Sequence, residues 1–458
     1  MKKFLLPALA ALFATSGALA DQTTMITTPS LAIQTGGMMG LGMSDNGRYI
    51  SGSCFGGEAF VYDRVDKKIV TTGDFAQSVQ DVTGTNQCWT VTNEGLAYGW
   101  DGLGGIALGI NGTYDLFYPI PASFDGVCPY STTADGSIVA GYVMMDFTLI
   151  RPCYWENGEV HFLPFSSTAE AGFPVNKGAK ATHISSDGRI IMGNLENRSS
   201  YNPMVFWVRQ DDGTYKYVPA FLPYYQDVFN ADGSYKDAYK VGPLTRFMPM
   251  AMTPDGSKIA LLVQETEGWN GKLSPFELAI YDTATETYEI IPYKSSNLLY
   301  SNSEFLVTAM SNNGYITGVA GSTTAGPIPF VMAPDKYDSA MTLSQAFPDS
   351  ELLEEWSMEV QGFGTYITTA MSEDASYIVG YMDVVDESLQ TVYYGTFCIE
   401  TGFNDPIENP GETGVNAIEE AASDAPATFY TVDGRPVSNP QRGLYIKVEG
   451  GKASKVIL

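Results

Sequence analysis

Ala370-Met371-Ser372-Glu373-Asp374-Ala375-Ser376-Tyr377-Ile378-Val379-Gly380 is a phrase that this chain writes repeatedly. Ala309-Met310-Ser311-Asn312-Asn313-Gly314 restates it and continues into Tyr315-Ile316-Thr317-Gly318. Ala251-Met252-Thr253-Pro254-Asp255-Gly256 and Gly42-Met43-Ser44-Asp45-Asn46-Gly47 restate it again. Reduced to Ser/Thr-x-Asp/Asn-Gly followed by an apolar run that closes on Gly, the phrase also covers Thr133–Gly141 and Ser185–Gly193. The most worn copy is Thr83-Gly84-Thr85-Asn86, ahead of Cys88 and Trp89. Anchored on the hydroxyl residue, the set is Ser44, Thr83, Thr133, Ser185, Thr253, Ser311 and Ser372. Self-similarity at a period of roughly 50 residues is the mark of a repeat architecture and decides the fold before any single residue does.

The phrase has the chemistry of a tight hairpin. Asp-Gly and Asn-Gly favour the positive φ angles of a type I′ turn. A Ser or Thr ahead of the turn offers its hydroxyl to backbone groups that would otherwise be buried unpaired. The closing Gly lets neighbouring backbone come closer than a side chain would allow. Where Ala375 replaces the turn Gly, the hairpin is expected to be strained or of another type. An aromatic-rich third strand follows each hairpin: Ala59–Asp63, Leu96–Asp101, Arg151–Glu156, Pro203–Trp207, Phe276–Asp282, Pro329–Met332 and Tyr394–Ile399. Shorter fourth strands follow at Glu159–Leu163, Thr214–Val218 and Thr287–Ile291.

Four antiparallel strands per unit and seven units describe an all-β chain built as a seven-bladed β-propeller, with six or eight blades also compatible with the worn copy. No fourth strand follows Cys398, so Ile26–Ile33 is expected to supply the outer strand of the last blade and close the ring. Two insertions interrupt the repeat. Phe221–Arg246 carries Tyr224 and Tyr225, and Phe347–Phe363 carries Trp356 behind a short helix capped by Ser350. These three aromatic residues are candidate binding residues, because loops on a rigid scaffold carry variable function.

The N-terminus reads as a secretory signal peptide over residues 1–20. Lys2 and Lys3 precede an apolar run from Phe4 to Phe13, and Ala18-Leu19-Ala20 stands before Asp21. Later stretches lack the length and apolarity of a membrane span, so the chain is expected outside the cytoplasm, at the outer-membrane surface or extracellular. Loss of Lys2 and Lys3 moves the formal charge from −27 to −29. Such acidity argues against a nucleic-acid partner, which needs basic clusters. Cys54, Cys88, Cys128, Cys153 and Cys398 are an odd set in apolar runs, read as buried thiols or incidental bridges.

Little else carries chemistry. Of the two histidines, His161 lies in a fourth strand, whereas His183 precedes the Ser185 turn on a strand that would be an inner one, a weak candidate for a channel-facing group. Asp383, Asp386 and Glu387 could present oxygen ligands to Ca²⁺, the one cofactor to consider, against the simpler reading of a solvated loop. Gly102–Ala107 imitates a dinucleotide loop but opens no βαβ unit. The turn acids recur with the phrase and so read as structure. Two functions follow: a non-catalytic propeller binding a protein or glycan ligand through its insertions and one mouth of the ring, or a secreted carbohydrate-active hydrolase or lyase. Convergence of acidic side chains, or of His183, in one polar pocket would favour the second.

The phrase and the Pro/aromatic-Trp strand, clearest in Thr133–Trp155 and Ser185–Trp207, resemble HAF-type extracellular repeats over residues 40–402. That resemblance implies an extracellular propeller and transfers no catalytic residues. After residue 402, an acidic linker over 403–414 gives way to 415–458, where Tyr430, Asp433-Gly434-Arg435-Pro436-Val437, Gly443-Leu444-Tyr445-Ile446 and Lys455-Val456 resemble the C-terminal sorting domain of the type IX secretion system of Bacteroidetes. This implies the type IX machinery as a partner and release or retention at the cell surface.

Overall fold

The computed structural model describes residues 23–75, 86–101, 104–117, 126–145, 149–165, 175–197, 204–218, 243–267, 277–291, 304–321, 327–334, 336–337, 340–350, 352–353, 365–386 and 391–403, and the C-terminal strands within 428–457. The chain divides into two units, Met1–Thr401 and Gly402–Leu458.

Among the described residues of the first unit, seven four-stranded antiparallel blades follow one another in the order of the chain. Their first strands are Met38–Met43, Gln87–Val91, Gly126–Thr132, Val175–Ile184, Pro243–Met252, Glu304–Met310 and Tyr366–Met371. First strands of consecutive blades pack against one another and surround the axis. Blades 3 and 4 also share one parallel bridge, Ile150 to Gly178. At Gly178, with φ +105°, a Cβ would lie 1.7 Å from the Ile150 carbonyl oxygen.

Blade 7 closes the ring as the repeat requires, though with different residues from those expected. Its outer strand is Thr23–Met25, paired antiparallel with Thr391–Glu400 through Thr23 and Ile399. Most of Ile26–Ile33 does something else: Pro29–Thr35 is a helix, with Thr28 accepting the Leu31 N–H and Pro at its start. Sequence alone hid this because a seven-residue apolar-polar run fits either element.

The worn second copy is also relocated. The blade 2 anchor is Thr92, not Thr83; its Oγ1 accepts the Leu96 N–H at 3.1 Å. Leu96–Trp100 is therefore the second strand of blade 2, and Gly105–Gly109 and Thr113–Phe117 are the third and fourth. Thr83, Gly84 and Thr85 lie outside the described residues. The anchor was missed because Glu94 stands where other copies carry Asp or Asn.

Both faces of a blade are covered by its neighbours, so strands read as unbroken apolar runs rather than alternating ones. Ala59–Asp63 is buried at every position. Ile50, Phe60 and Met38 of blade 1 pack with Val379 and Cys398 of blade 7. Ile138 and Tyr154 of blade 3, Phe206 and Trp207 of blade 4, and Phe247 and Tyr281 of blade 5 form another interblade core. All five cysteines are buried free thiols within these layers, and burial pushes their pKa values up.

The second unit contains a four-stranded sheet: Thr428–Tyr430 is flanked by Pro436–Val437 and Leu444–Glu449, and the latter pairs with Lys452–Ile457. Of the linker expected over 403–414, residues 404–414 lie outside the described residues, as does the start of the module at 415–427.

Candidate functional site

The recurring hydroxyl of the phrase is buried in every blade. In blade 4, Ser185 Oγ donates to Asp187 Oδ1 at 2.8 Å and accepts the Ile190 N–H at 3.0 Å. In blade 7, Ser372 Oγ donates to Asp374 at 2.9 Å and accepts from Tyr377 at 3.0 Å. The turn is not type I′, in which both central residues need positive φ. Only its last position is left-handed: Gly47, Gly95, Gly136, Gly188, Gly256, Gly314 and Ala375, with φ between 62° and 91°. That is the pattern of a type I turn followed by one left-handed residue. Ala375 adopts it at φ 62° and is fully buried, so blade 7 keeps the common turn and bears the strain.

The seven turns are hydrogen-bonded to one another in a closed ring. Main-chain N–H groups donate to the next turn's carbonyl from Asn93 to Ala134, Ala134 to Ser186, Ser186 to Pro254, Asn312 to Glu373 and Glu373 to Asp45. Two joints use a side chain instead. Pro254 has no N–H, and Asp255 donates to Asn312 Oδ1 at 2.9 Å. Asn46 likewise donates to Asn93 Oδ1 at 2.9 Å. Ser186 Oγ also donates to the carboxylate of Asp45, joining blade 4 to blade 1 across the axis. Burial raises the pKa of Asp45 against the lowering effect of Ser186. Glu373 is raised by burial and then by the charges of Asp45 and Asp374.

Three residues before each anchor, every first strand carries a β-bulge. The bulged residues are Leu41, Trp89, Tyr130, Thr182, Met250, Thr308 and Thr369, all half-buried. The closing glycines make room for the bulge. A Cβ on Gly52, Gly99, Gly141, Gly193, Gly318 or Gly380 would lie 1.8–2.1 Å from a first-strand carbonyl oxygen. Three of the bulged side chains meet the next blade, whereas Thr182 and Thr308 donate to carbonyls of their own blade. Thr369 Oγ1 donates to the Gly40 carbonyl at 2.7 Å, and the Val307 N–H meets Met250 sulfur at 3.4 Å. Trp89 stacks on Tyr130 with centroids 5.0 Å apart. Tyr130 meets Tyr142 at 6.5 Å, and Lys180 Nζ sits 5.3 Å from the Tyr142 centroid.

One residue nearer the turns, the layer is small: Gly42, Thr90, Ser131, Ala251, Ala309 and Ala370, with His183 in blade 4. His183 thus sits on a first strand as expected. Its Nδ1 is 3.1 Å from Thr182 Oγ1, and burial lowers its pKa to about 4, so it is neutral at neutral pH. His161 stacks on Tyr154 at 4.9 Å in the outer part of blade 3.

The remaining candidates do not assemble. Tyr224, Tyr225 and Trp356 lie outside the described residues, as does Glu387, and nothing is described of the Asp386 side chain. Ser350 does accept the Leu353 N–H at 3.4 Å, as a cap would. Asp383 accepts the Thr365 N–H at 2.7 Å. Among the described residues, no group of three His, Cys, Asp or Glu side chains could hold a metal ion, and no helix is long and apolar enough to cross a membrane.

The described first unit is a seven-bladed β-propeller whose turns on one face are hydrogen-bonded into a ring. No family model matches the chain and no curated protein matches it. Among solved structures it is similar to an oligogalacturonate lyase in complex with manganese, with 12% identity, a TM-score of 0.49, and coverage of 83% of this chain and 93% of that one. It is also similar to an oligogalacturonate lyase from Vibrio parahaemolyticus, with 10% identity, a TM-score of 0.48, and coverage of 82% and 93%. TolB from Acinetobacter baumannii follows with 13% identity, a TM-score of 0.35, and coverage of 64% and 63%.

Proposed function

We propose that the protein is an exported, surface-displayed propeller that binds a protein or glycan ligand without transforming it, at the mouth opposite the ring of turns. The observation that carries this reading is the bulge layer. Seven equivalent backbone positions around the axis hold side chains that differ from blade to blade, and the large aromatic ones are gathered in blades 2 and 3. Export rests on the N-terminal leader pattern, and display on the C-terminal sequence together with the type IX machinery it implies. The chain leaves the propeller at the turn face, where Thr401 Oγ1 donates to the Ala375 carbonyl at 2.5 Å.

A second reading has its own support. Asp45 and Glu373 are neighbouring carboxyl groups whose protons are held more tightly than usual, a property useful to a general acid. Against it, the Asp45 carboxylate is engaged by Ser186. The test is a screen of the mature chain against glycans and cell-surface proteins, with product release followed in parallel. Retention of a ligand without product supports the binding reading. Product formation that disappears in Asp45→Asn or Glu373→Gln replaces it with the hydrolase or lyase. For export, the N-terminal residue of the secreted form should be Asp21, and truncation after residue 414 should keep the propeller from the cell surface.

A further inference from the structure

We infer that the ligand is a neutral oligosaccharide and that it lies along Trp89, Tyr130, Tyr142 and Lys180 within the channel; this rests on the binding reading above. The argument begins with the shape of the aromatic wall. Trp89 and Tyr130 are inclined by 19° with centroids 5.0 Å apart. Rings in contact lie about 3.5–4 Å apart between planes, so these two are slipped past one another rather than eclipsed. Tyr142 continues the wall at 6.5 Å from Tyr130 and is tilted by 33°. A stepped run of half-buried rings crossing blades 2 and 3 suits a ligand made of successive flat units with apolar faces.

The rest of the wall chooses between ligand charges. The hydroxyl hydrogens of Thr369, Thr308 and Thr182 are donated to the carbonyls of Gly40, Thr317 and Met192 at 2.7, 3.3 and 3.4 Å. The oxygens of Thr369 and Thr308 retain acceptor capacity, while that of Thr182 already faces His183 Nδ1 at 3.1 Å, so the first two positions offer lone pairs to a ligand that donates. A polyol donates from every hydroxyl group, whereas an anion would meet lone pairs in a chain whose formal net charge is −27. Lys180, with its Nζ 5.3 Å from the Tyr142 centroid, ends the run on blade 4. A hexopyranose combines an apolar face for the rings with hydroxyl edges for the threonines.

The test is titration calorimetry of the full mature chain with neutral tetrasaccharides of the β-1,4-glucan, β-1,4-xylan, β-1,4-mannan and α-1,4-glucan types, beside a uronic-acid tetrasaccharide. At least one neutral sugar is expected to bind, and Trp89→Ala and Tyr130→Ala to weaken it ten-fold or more. Trp89→Phe, which keeps a ring in the stack, should retain most affinity. Thr308→Trp leaves the aromatic rings in place, removes one threonine acceptor and puts a large side chain into the channel from blade 6, so it should abolish binding, and its thermal midpoint checks that the fold survives the overpacking. Binding of the uronic-acid sugar alone overturns the neutral class. Equal affinity in the Trp89, Tyr130 and Thr308 variants overturns the location while leaving a binding propeller. Capture of a protein ligand with no sugar bound overturns the saccharide and spares the broader reading; absence of any ligand sinks both.

Discussion

The ring of turns and the layer of bulges lie a few residues apart on the same strands, and they treat side chains in opposite ways. In the turns, residue type repeats: Ser185 and Thr253 make the same bonds to Asp187 and Asp255, at 2.8 and 2.6 Å. In the bulges, backbone geometry repeats while the side chains vary, from Leu41, Trp89, Tyr130 and Met250 to the three threonines Thr182, Thr308 and Thr369. A turn is held by its side chains, because the hydroxyl and the carboxylate satisfy main-chain groups that have no other partner. A bulge is held by its ladder, with a glycine opposite in six blades and Leu261 in blade 5, so residue type at the bulged position is not fixed as it is in the turn. Side chains that vary at an axial position are where a ligand can be read.

If the bulges depend on the opposite glycine, its loss should be the most damaging small change available. Gly193→Ala in blade 4 would bring a Cβ to 1.9 Å from the Lys180 carbonyl oxygen, a backbone atom that cannot rotate away. We expect about 3 kcal/mol of destabilisation or outright misfolding, measured by denaturant titration. A loss below about 1 kcal/mol would show that the bulge forms without the glycine. Blade 5 is the internal control, since Leu261 stands opposite Pro249 there.

Acid should act next most strongly, through the small layer beneath the ring. His183 has a folded pKa of about 4, below its ordinary 6.5, so below 6.5 the unfolded chain binds the extra proton first. Its contribution to stability is therefore complete above pH 6.5 and is lost as the pH falls toward 4, by up to about 2–3 kcal/mol. Asp45 and Glu373 run the other way. Held above the ordinary carboxylate range, they bind protons more readily when folded and subtract stability as the pH rises through that range and beyond. His183→Gln should flatten the acid limb between pH 6.5 and 4, and Asp45→Asn should raise the midpoint at pH 7. An unchanged acid limb in His183→Gln would place the acid sensitivity elsewhere.

The ring itself can be broken and mended at one joint. Asn312→Ala leaves the Asp255 N–H without its acceptor and should cost about 1 kcal/mol. Pro254→Ala restores the missing N–H, which can then donate to the main chain of residue 312 as at the five regular joints. The double variant should recover most of the loss, and the thermal midpoint of the four proteins in the cycle measures it. Additive losses would mean that the side-chain joint is not a substitute for the main-chain one.

The repeat was legible because turn chemistry is local. A buried hydroxyl, a short acidic or amide residue and a left-handed glycine fall within four positions, so seven blades could be counted even with Thr83 standing in for Thr92. Closure was legible as a need but not as residues, because three residues, Thr23–Met25, carry too little pattern to be told from the helix beside them. The candidate site was mostly hidden. Trp89, Tyr130 and Lys180 are far apart in sequence, and a bulge has no composition of its own. The available signal was positional: aligning copies on the anchor would have exposed one column of unrelated residues amid constant ones.

The smallest effect expected returns to the stretch in blade 7. Ala375 holds φ 62° with its side chain fully buried, a conformation that costs an L-residue about 1–2 kcal/mol and costs glycine little. Its N–H still donates to Ser372 at 3.0 Å, and Ser372 still accepts the Tyr377 N–H at 3.0 Å. The hydrogen bonding of the turn is therefore intact, and the strain is confined to one residue. Ala375→Gly removes that strain but gives the unfolded chain more freedom and loses a buried methyl group. The net gain should be below about 1 kcal/mol, seen as a thermal midpoint raised by a degree or two. A loss of stability instead would show that the methyl group packs against its surroundings strongly enough to hold the left-handed turn by itself. Blade 7 would then depend on a side chain at the one place where the other six blades depend on having none.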